Sequence, residues 1–327
     1  MKPDRATRGF LTLVAVALLV GALVLCGALG GVLIPLLVSR VSDEGLDAFA
    51  NTSMLPVLVL LALVVIGVGL GARSLMSQLL ASRRLARYVS ARVAAAPDAL
   101  LLLSARAGLR GRVMLIDAPE SFSFVYGVLT PRVAVSRGLV EAASADELRA
   151  VIEHERYHVR NLDPLKIVFT RSVSTSLFFL PALNALRARY VTDCELAADR
   201  QAVAVCGDRS LAGALLKAIR GPRWNELRVA ASLGGPELLD VRVLQLETGA
   251  EPRPTVIGRR PIALSILNAT LFTLVYLASA YSLGGAATVG GLASSTVLDG
   301  VLCGTPFAAV AIALYLFVAK RARRPVR

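Results

Sequence analysis

Four long runs of this 327-residue chain contain no charged residue, and they restrict its fold more than any other feature. Phe10–Val38 runs for 29 residues, Met54–Ala72 for 19, Ile262–Leu283 for 22 and Val301–Ala319 for 19. About 20 apolar residues cross the hydrocarbon core of a bilayer as a helix, so each run predicts a span. Hydrophobic residues make up 55% of the chain and charged residues 18%, too apolar a balance for an ordinary soluble domain. The first run is too long for the core of a cleaved signal and lacks a small-residue cleavage site, so it reads as a retained span.

A formal charge of +13 raises the question of nucleic acid, but the positions of the basic residues answer it differently. Lys2, Arg5 and Arg8 precede the first run, and Arg73, Arg83, Arg84, Arg87 and Arg92 follow the second. Arg253, Arg259 and Arg260 precede the third, and Lys320, Arg321, Arg323, Arg324 and Arg327 follow the fourth. The loop 39–53 sets Arg40 against Asp43, Glu44 and Asp47, and the loop 284–300 carries only Asp299. Basic residues mark the cytoplasmic side of a membrane protein. The expected topology puts both termini and the middle of the chain in the cytoplasm, at the cytoplasmic membrane. The basic excess then meets anionic lipid of the bilayer, with no direct nucleic-acid contact. Three regions follow: an N-terminal membrane hairpin 1–80, a cytoplasmic domain 81–261, and a C-terminal membrane hairpin 262–327 with a basic tail. Cys26, Cys194, Cys206 and Cys303 form no CxxC pair, which argues against both a disulfide framework and a cysteine-rich zinc site.

Within the middle region, Ala81–Ala96 has a basic and apolar helix pattern that continues the second span. Arg112–Ile116 and Arg132–Ser136 read as short strands, with Phe122–Val128 a third. Ser144 followed by Glu147 forms a capping box, and the helix it opens ends near Asn161–Asp163, ahead of Pro164. That helix holds both histidines of the chain, in "HERYH", residues 154–158. HExxH is short enough to arise by chance, so its surroundings have to carry the reading. On a helix His154 and His158 share a face one turn apart and can reach one metal ion. Glu155 beside them can take a proton from a water polarised by that ion and pass it to a leaving amine, which suits peptide-bond hydrolysis. A third ligand is needed. Residues 188–207 read as a helix ending at Gly207, with Glu195 and Asp199 on one face. Glu195 is a candidate third ligand and Asp199 a partner for the free N–H of a liganding histidine. Asp163 and Asp193 compete by composition. Residues 165–183 are apolar but contain Lys166, Arg171 and Pro181, which favour a helix packed in the domain or lying on the membrane over a fifth span. Helical character continues through 209–220, and the part from 221 to 261 ends as a linker into the third span.

Taken together these segments resemble the membrane-embedded gluzincin peptidases of the M56 family, the type of the BlaR1 and MecR1 receptors, and more distantly the M48 HtpX-like proteases. The resemblance covers roughly residues 111–250. It rests on "FSFVYGVLTPRVAVSRGLV", "ADELRAVIEHERYHVRNLDPL", "CELAADRQAV" and the arginine-containing segment at 240–247. It implies a multi-pass α-helical membrane protein with an α+β gluzincin zinc-peptidase domain inserted between spans two and three. It also implies His154, His158 and Glu195 as ligands of one Zn2+ per chain, Glu155 as general base and Asp199 behind the ligands. Arg132, Val133, Ala134, Val135 and Ser136 would form the edge strand to which substrate backbone adds. Tyr190 is a candidate for stabilising the oxyanion. Two departures stand out. The sequence has no Ser-x-x-Lys sensor domain after the last run, so β-lactam sensing is not expected. Asp193 and Cys194 precede Glu195 where related proteins often carry arginine. The expected activity is hydrolysis of protein substrates at the cytoplasmic side, either a transcriptional repressor or membrane proteins under quality control. The competing reading is a non-catalytic membrane signalling or scaffold protein keeping a structural metal, which would have no use for Glu155.

Overall fold

The computed structural model describes residues 4–22, 41–43, 45, 55–219, 236–253 and 256–284. Helix α1, Arg5–Ala22, falls on the first apolar run, whose remainder lies outside the described residues. Helix α2, Leu55–Ser90, is 36 residues long, about 54 Å at 1.5 Å per residue. Among the described residues it is the helix long and apolar enough to cross a membrane. The second apolar run and its basic extension therefore form one rod. The rod stops at Ser90, short of the expected Ala96, because Val93–Ala94 instead pair as strand β1. The third run lies on the last described helix, and the fourth lies outside the described residues.

After β1 come α3 (Asp98–Arg106), β2 (Val113–Ile116), β3 (Ser123–Tyr126), β4 (Arg132–Ser136) and α4 (Arg137–Ala142). The strand order is β1-β2-β4-β3, with β2 and β4 parallel and the other pairs antiparallel. This corrects the expectation for Arg132–Ser136. Strand β4 is paired along both sides, to β2 and to β3, so its backbone groups are taken, and β3 is the outer strand on that side. Side chains alternate across the sheet. Val113, Leu115, Val125, Val133 and Val135 pack on one face against Leu148, Val151 and Ile152 of the next helix. Ile116, Tyr126 and Ala134 pack on the other face against Leu85 and Val89 at the end of α2. Burying each Val or Leu of these layers contributes roughly 1.5–3 kcal/mol. The sheet is thereby held on the C-terminal end of the apolar rod.

The rest is helical: α5 (Ala145–Asn161), α6 (Asp163–Ser176), α7 (Pro181–Cys206), α8 (Asp208–Ile219), α9 (Pro236–Thr248) and α10 (Arg259–Gly284). Helix α9 carries the arginine-containing segment at 240–247. Helix α5 opens on the expected capping box, Ser144 Oγ accepting from Glu147 N and Glu147 Oε2 accepting from Ser144 N. It ends at Leu162, whose φ of 55° makes it the one non-glycine residue with positive φ among the described residues. That left-handed turn reverses the chain and starts α6 at Asp163 within reach of α5.

Candidate metal centre

Helix α5 is buried nearly all round at its middle, through Val151, Ile152, His154, Glu155, Tyr157 and His158. Being one turn apart, His154 and His158 bring their Nε2 atoms within 3.3 Å of each other. Helix α7 packs across α5 and supplies Glu195. Its Oε2 lies 3.5 Å from His154 Nε2 and its Oε1 3.5 Å from His158 Nε2. One ligand atom from each of these three residues lies within 4.8 Å of the other two.

The outer ring nitrogens face carboxylates. His158 Nδ1 hydrogen-bonds Asp163 Oδ2 at 2.8 Å. His154 Nδ1 approaches Asp199 Oδ1 at 2.9 Å, off the line of a full hydrogen bond. In the neutral, metal-binding form of each ring, both contacts favour the proton on Nδ1 and leave Nε2 bare toward the shared point. Arg242 of α9 closes the back of the cluster. Its Nε and Nη2 donate to the two Asp199 oxygens at 2.6 and 2.7 Å, and its Nη1 lies 3.3 Å from Glu195 Oε2. Burial pushes the Glu195 carboxyl up, but His158, His154 and Arg242 outweigh it and hold the group well below the usual carboxylate range. Burial likewise opposes a charge on His154, yet contact with Asp199 and Glu195 raises its pKa to about 10.

Two imidazole nitrogens and one carboxylate oxygen converging on one point form a donor set that suits zinc with a position left open. Each donor residue is buttressed by a charged or hydrogen-bonding neighbour, as metal ligands are. The residues present therefore fit the ion.

Glu155 lies beside the cluster and its Oε1 accepts a hydrogen bond from Ser123 Oγ at 2.7 Å. Ser123 begins the outer strand β3, so that strand reaches the candidate base directly. Two competing carboxylates fall elsewhere. Asp163 stands behind His158, and Asp193 faces Arg189 at 3.8 Å and the α1 backbone near Gly9. The expectation for Tyr190 is overturned. Its ring is buried against Phe10 of α1 and its hydroxyl points to Asp163 Oδ1 at 3.4 Å, behind the ligands rather than over them. Ser123, Arg242 and Asp4 are contributions the sequence did not single out as functional. The arginine segment at 240–247 was the one visible signal, and nothing local marks Ser123 or Asp4.

The chain matches the family described as BlaR1 peptidase M56 over residues 37–246, which is more than half of its length. It is also similar to proteins named protease HtpX homolog. One from Janthinobacterium sp. (strain Marseille) is 31% identical over 151 residues, 42% of this chain and 50% of that protein. One from Herminiimonas arsenicoxydans has the same identity and coverage. One from Thermoplasma acidophilum is 33% identical over 64 residues, 20% of each chain. The matches thus span half or less of these relatives' own length. The helix bearing the two histidines, the strands ahead of it and the glutamate helix all fall inside the family match, and the chain belongs to the M56 peptidase family.

Proposed function

We propose that the protein is a zinc-dependent endopeptidase of the membrane that hydrolyses protein substrates at its cytoplasmic side. The observation that carries this reading is the convergence of His154, His158 and Glu195 with Glu155 alongside, bonded to the outer strand of the sheet. A purely structural metal site would have no use for that carboxylate. Bound by the three donors, zinc supplies Lewis-acid chemistry toward water and a carbonyl. The chain supplies the rest. Glu155 takes a proton from the attacking water and delivers it to the departing amine nitrogen. Ser123 holds Oε1 of Glu155, which leaves Oε2 to do this. The free side of β3 accepts an extended substrate backbone as an added strand, beside that same carboxylate. Asp199 and Asp163 fix the two imidazoles, and Arg242 fixes Asp199 and Glu195. The proposed architecture is four spans with both termini and the peptidase domain cytoplasmic, as the basic residues imply.

The test is quantitative profiling of protein N-termini in host cells carrying wild type or Glu155→Gln. That change keeps the zinc content while removing the base. New cytoplasmic N-termini with wild type alone establish proteolysis. A single repressor among them makes the protein a signalling protease, and a set of membrane proteins makes it a quality-control protease. Identical profiles, with the zinc present in both, would sink the enzymatic reading.

A further inference from the structure

Three helices measure the position of the turn between α6 and α7, residues 177–180, sequence "LFFL". Along α2, Gln78 donates to Ser172 Oγ at 3.1 Å. A Cβ at Gly71 would lie 2.8 Å from Ser176 Cβ, and one at Gly67 would lie 2.7 Å from Ser176 O. Helix α6 therefore runs antiparallel to α2 and passes Arg73, the last charge beside the apolar run, before it ends. Along α10, Ser265 Oγ accepts from Ala182 N and Asn268 Nδ2 donates to Phe179 O, each at 2.9 Å. The Phe179 and Phe272 rings stack with centroids 5.5 Å apart. Along α1, Leu13 packs with Leu180 and Leu183, while Ala17 and Gly21 share an apolar cavity of about 170 Å³ with Leu177.

These rulers agree. Gly67 is six residues beyond Arg73, Asn268 eight beyond Arg260 and Ala17 nine beyond Arg8, which is about 9–13 Å of helix in each case. Half of the hydrocarbon core is about 15 Å. Backbone at that depth must have its polar groups met by protein. Ser265 and Asn268, polar residues inside the third apolar run, meet the Ala182 N–H at the start of α7 and the Phe179 C=O of this turn. Phe178, whose ring would lie 3.9 Å from a Cβ at Gly67, is 38% exposed, and Val65 and Ile66 next to Gly67 on α2 are exposed as well.

We propose that α6 and α7 form a re-entrant hairpin whose LFFL tip lies in the bilayer hydrocarbon, and that this anchor holds the metal centre at the outer edge of the lipid headgroup layer. The proposal rests on the membrane reading above. Glu195 is 14 residues along α7 from Pro181, about 21 Å. With the tip about 10 Å deep, the centre stands about 10 Å outside the hydrocarbon, at the outer edge of the headgroups. Helix α1 agrees independently. The centre sits beside its charged N-terminal end, with Tyr157 bonded to Asp4 and Asp193 against Gly9. Bonds within reach are those a few residues outside a span.

The chain contains a single tryptophan, Trp224, so one can be moved. Full-length protein with Trp224→Phe and either Phe178→Trp or Val65→Trp is reconstituted in phosphatidylcholine vesicles brominated at defined acyl depths. The expected result is that both tryptophans emit at blue-shifted wavelengths, are quenched several-fold by acyl bromine and are shielded from aqueous acrylamide. Quenching of Val65→Trp by bromine with Phe178→Trp open to acrylamide would overturn the hairpin and leave the membrane reading standing. Failure of bromine to quench either would overturn both.

Discussion

Tyr157 lies between the two histidines in sequence and turns its hydroxyl away from them, onto Asp4 Oδ2 at 2.7 Å. The other Asp4 oxygen accepts from Thr7 N at 2.8 Å and caps α1. One carboxylate thus ties the start of the first helix to the histidine helix. Removing a hydrogen bond to a charged group costs about 1.5–3 kcal/mol, so Tyr157→Phe is expected to fall in that range and Asp4→Ala at its upper end. Because both remove the same contact, the double variant loses less than the sum, as thermal inactivation in detergent would show. Burial pushes the Asp4 carboxyl up, but its bonds from Thr7 and Tyr157 outweigh this and hold it below its ordinary 3.8. A lowered folded-state pKa contributes stability above the unfolded value and loses it as pH falls through the folded one. The deficit of Asp4→Ala is therefore full near neutral pH and shrinks below pH 3.8. At the centre itself, Asp199 is fully buried and takes two bonds from Arg242. Asp199→Asn weakens the hold on both His154 and Arg242, and should lower zinc affinity about 10–100-fold in chelator competition. An unchanged affinity would mean that Asp199 has no part in orienting a ligand.

Elements explain why some of this was legible and some was not. The helical repeat alone puts His154 and His158 on one face, and the Ser144–Glu147 box announces where that helix begins. Glu195 and Asp199 share a face for the same reason. Strand order has no such local signature. Arg132–Ser136 reads as well for an edge as for a centre, and only its pairing with both β2 and β3 decides. Contacts across the fold are likewise silent in sequence. Ser123 meets Glu155 from 32 residues away, Arg242 meets Asp199 from 43 and Asp4 meets Tyr157 from 153. One close approach between elements carries its own prediction. Gly138, at the start of α4, would place a Cβ 1.9 Å from Pro119 O, which is backbone and cannot turn aside. Gly138→Ala must part the 118–120 loop from α4, next to the Ser136 that caps α4 and bonds Phe122. A cost of about 1–3 kcal/mol follows from such overpacking, read as a lower thermal inactivation midpoint with zinc content unchanged in the folded fraction.

At the scale of the molecule, the sheet rests on the C-terminal end of α2, while α6, the helix between the two that carry the candidate ligands, runs back along the same rod. On the proposed reading, the cleft between β3 and the metal centre is tied through both to that one apolar helix, and its height above the bilayer is a property of the fold. That height selects substrates. An extended chain advances about 3.3 Å per residue, so about three residues cover the 10 Å from the hydrocarbon to the centre. A strand added to β3 occupies roughly four more. Cleavage sites are then expected within about ten residues of the cytoplasmic end of a substrate's own span. The N-terminal profiles that test for proteolysis also test this. Clustering of the new N-termini beside membrane segments supports a cleft fixed at the headgroups and favours membrane proteins as substrates. New N-termini deep within soluble proteins would mean that those proteins are brought to the membrane surface before cleavage, or that the cleft stands farther from the lipid than α1 and α7 place it. The tryptophan depth measurement separates those two outcomes.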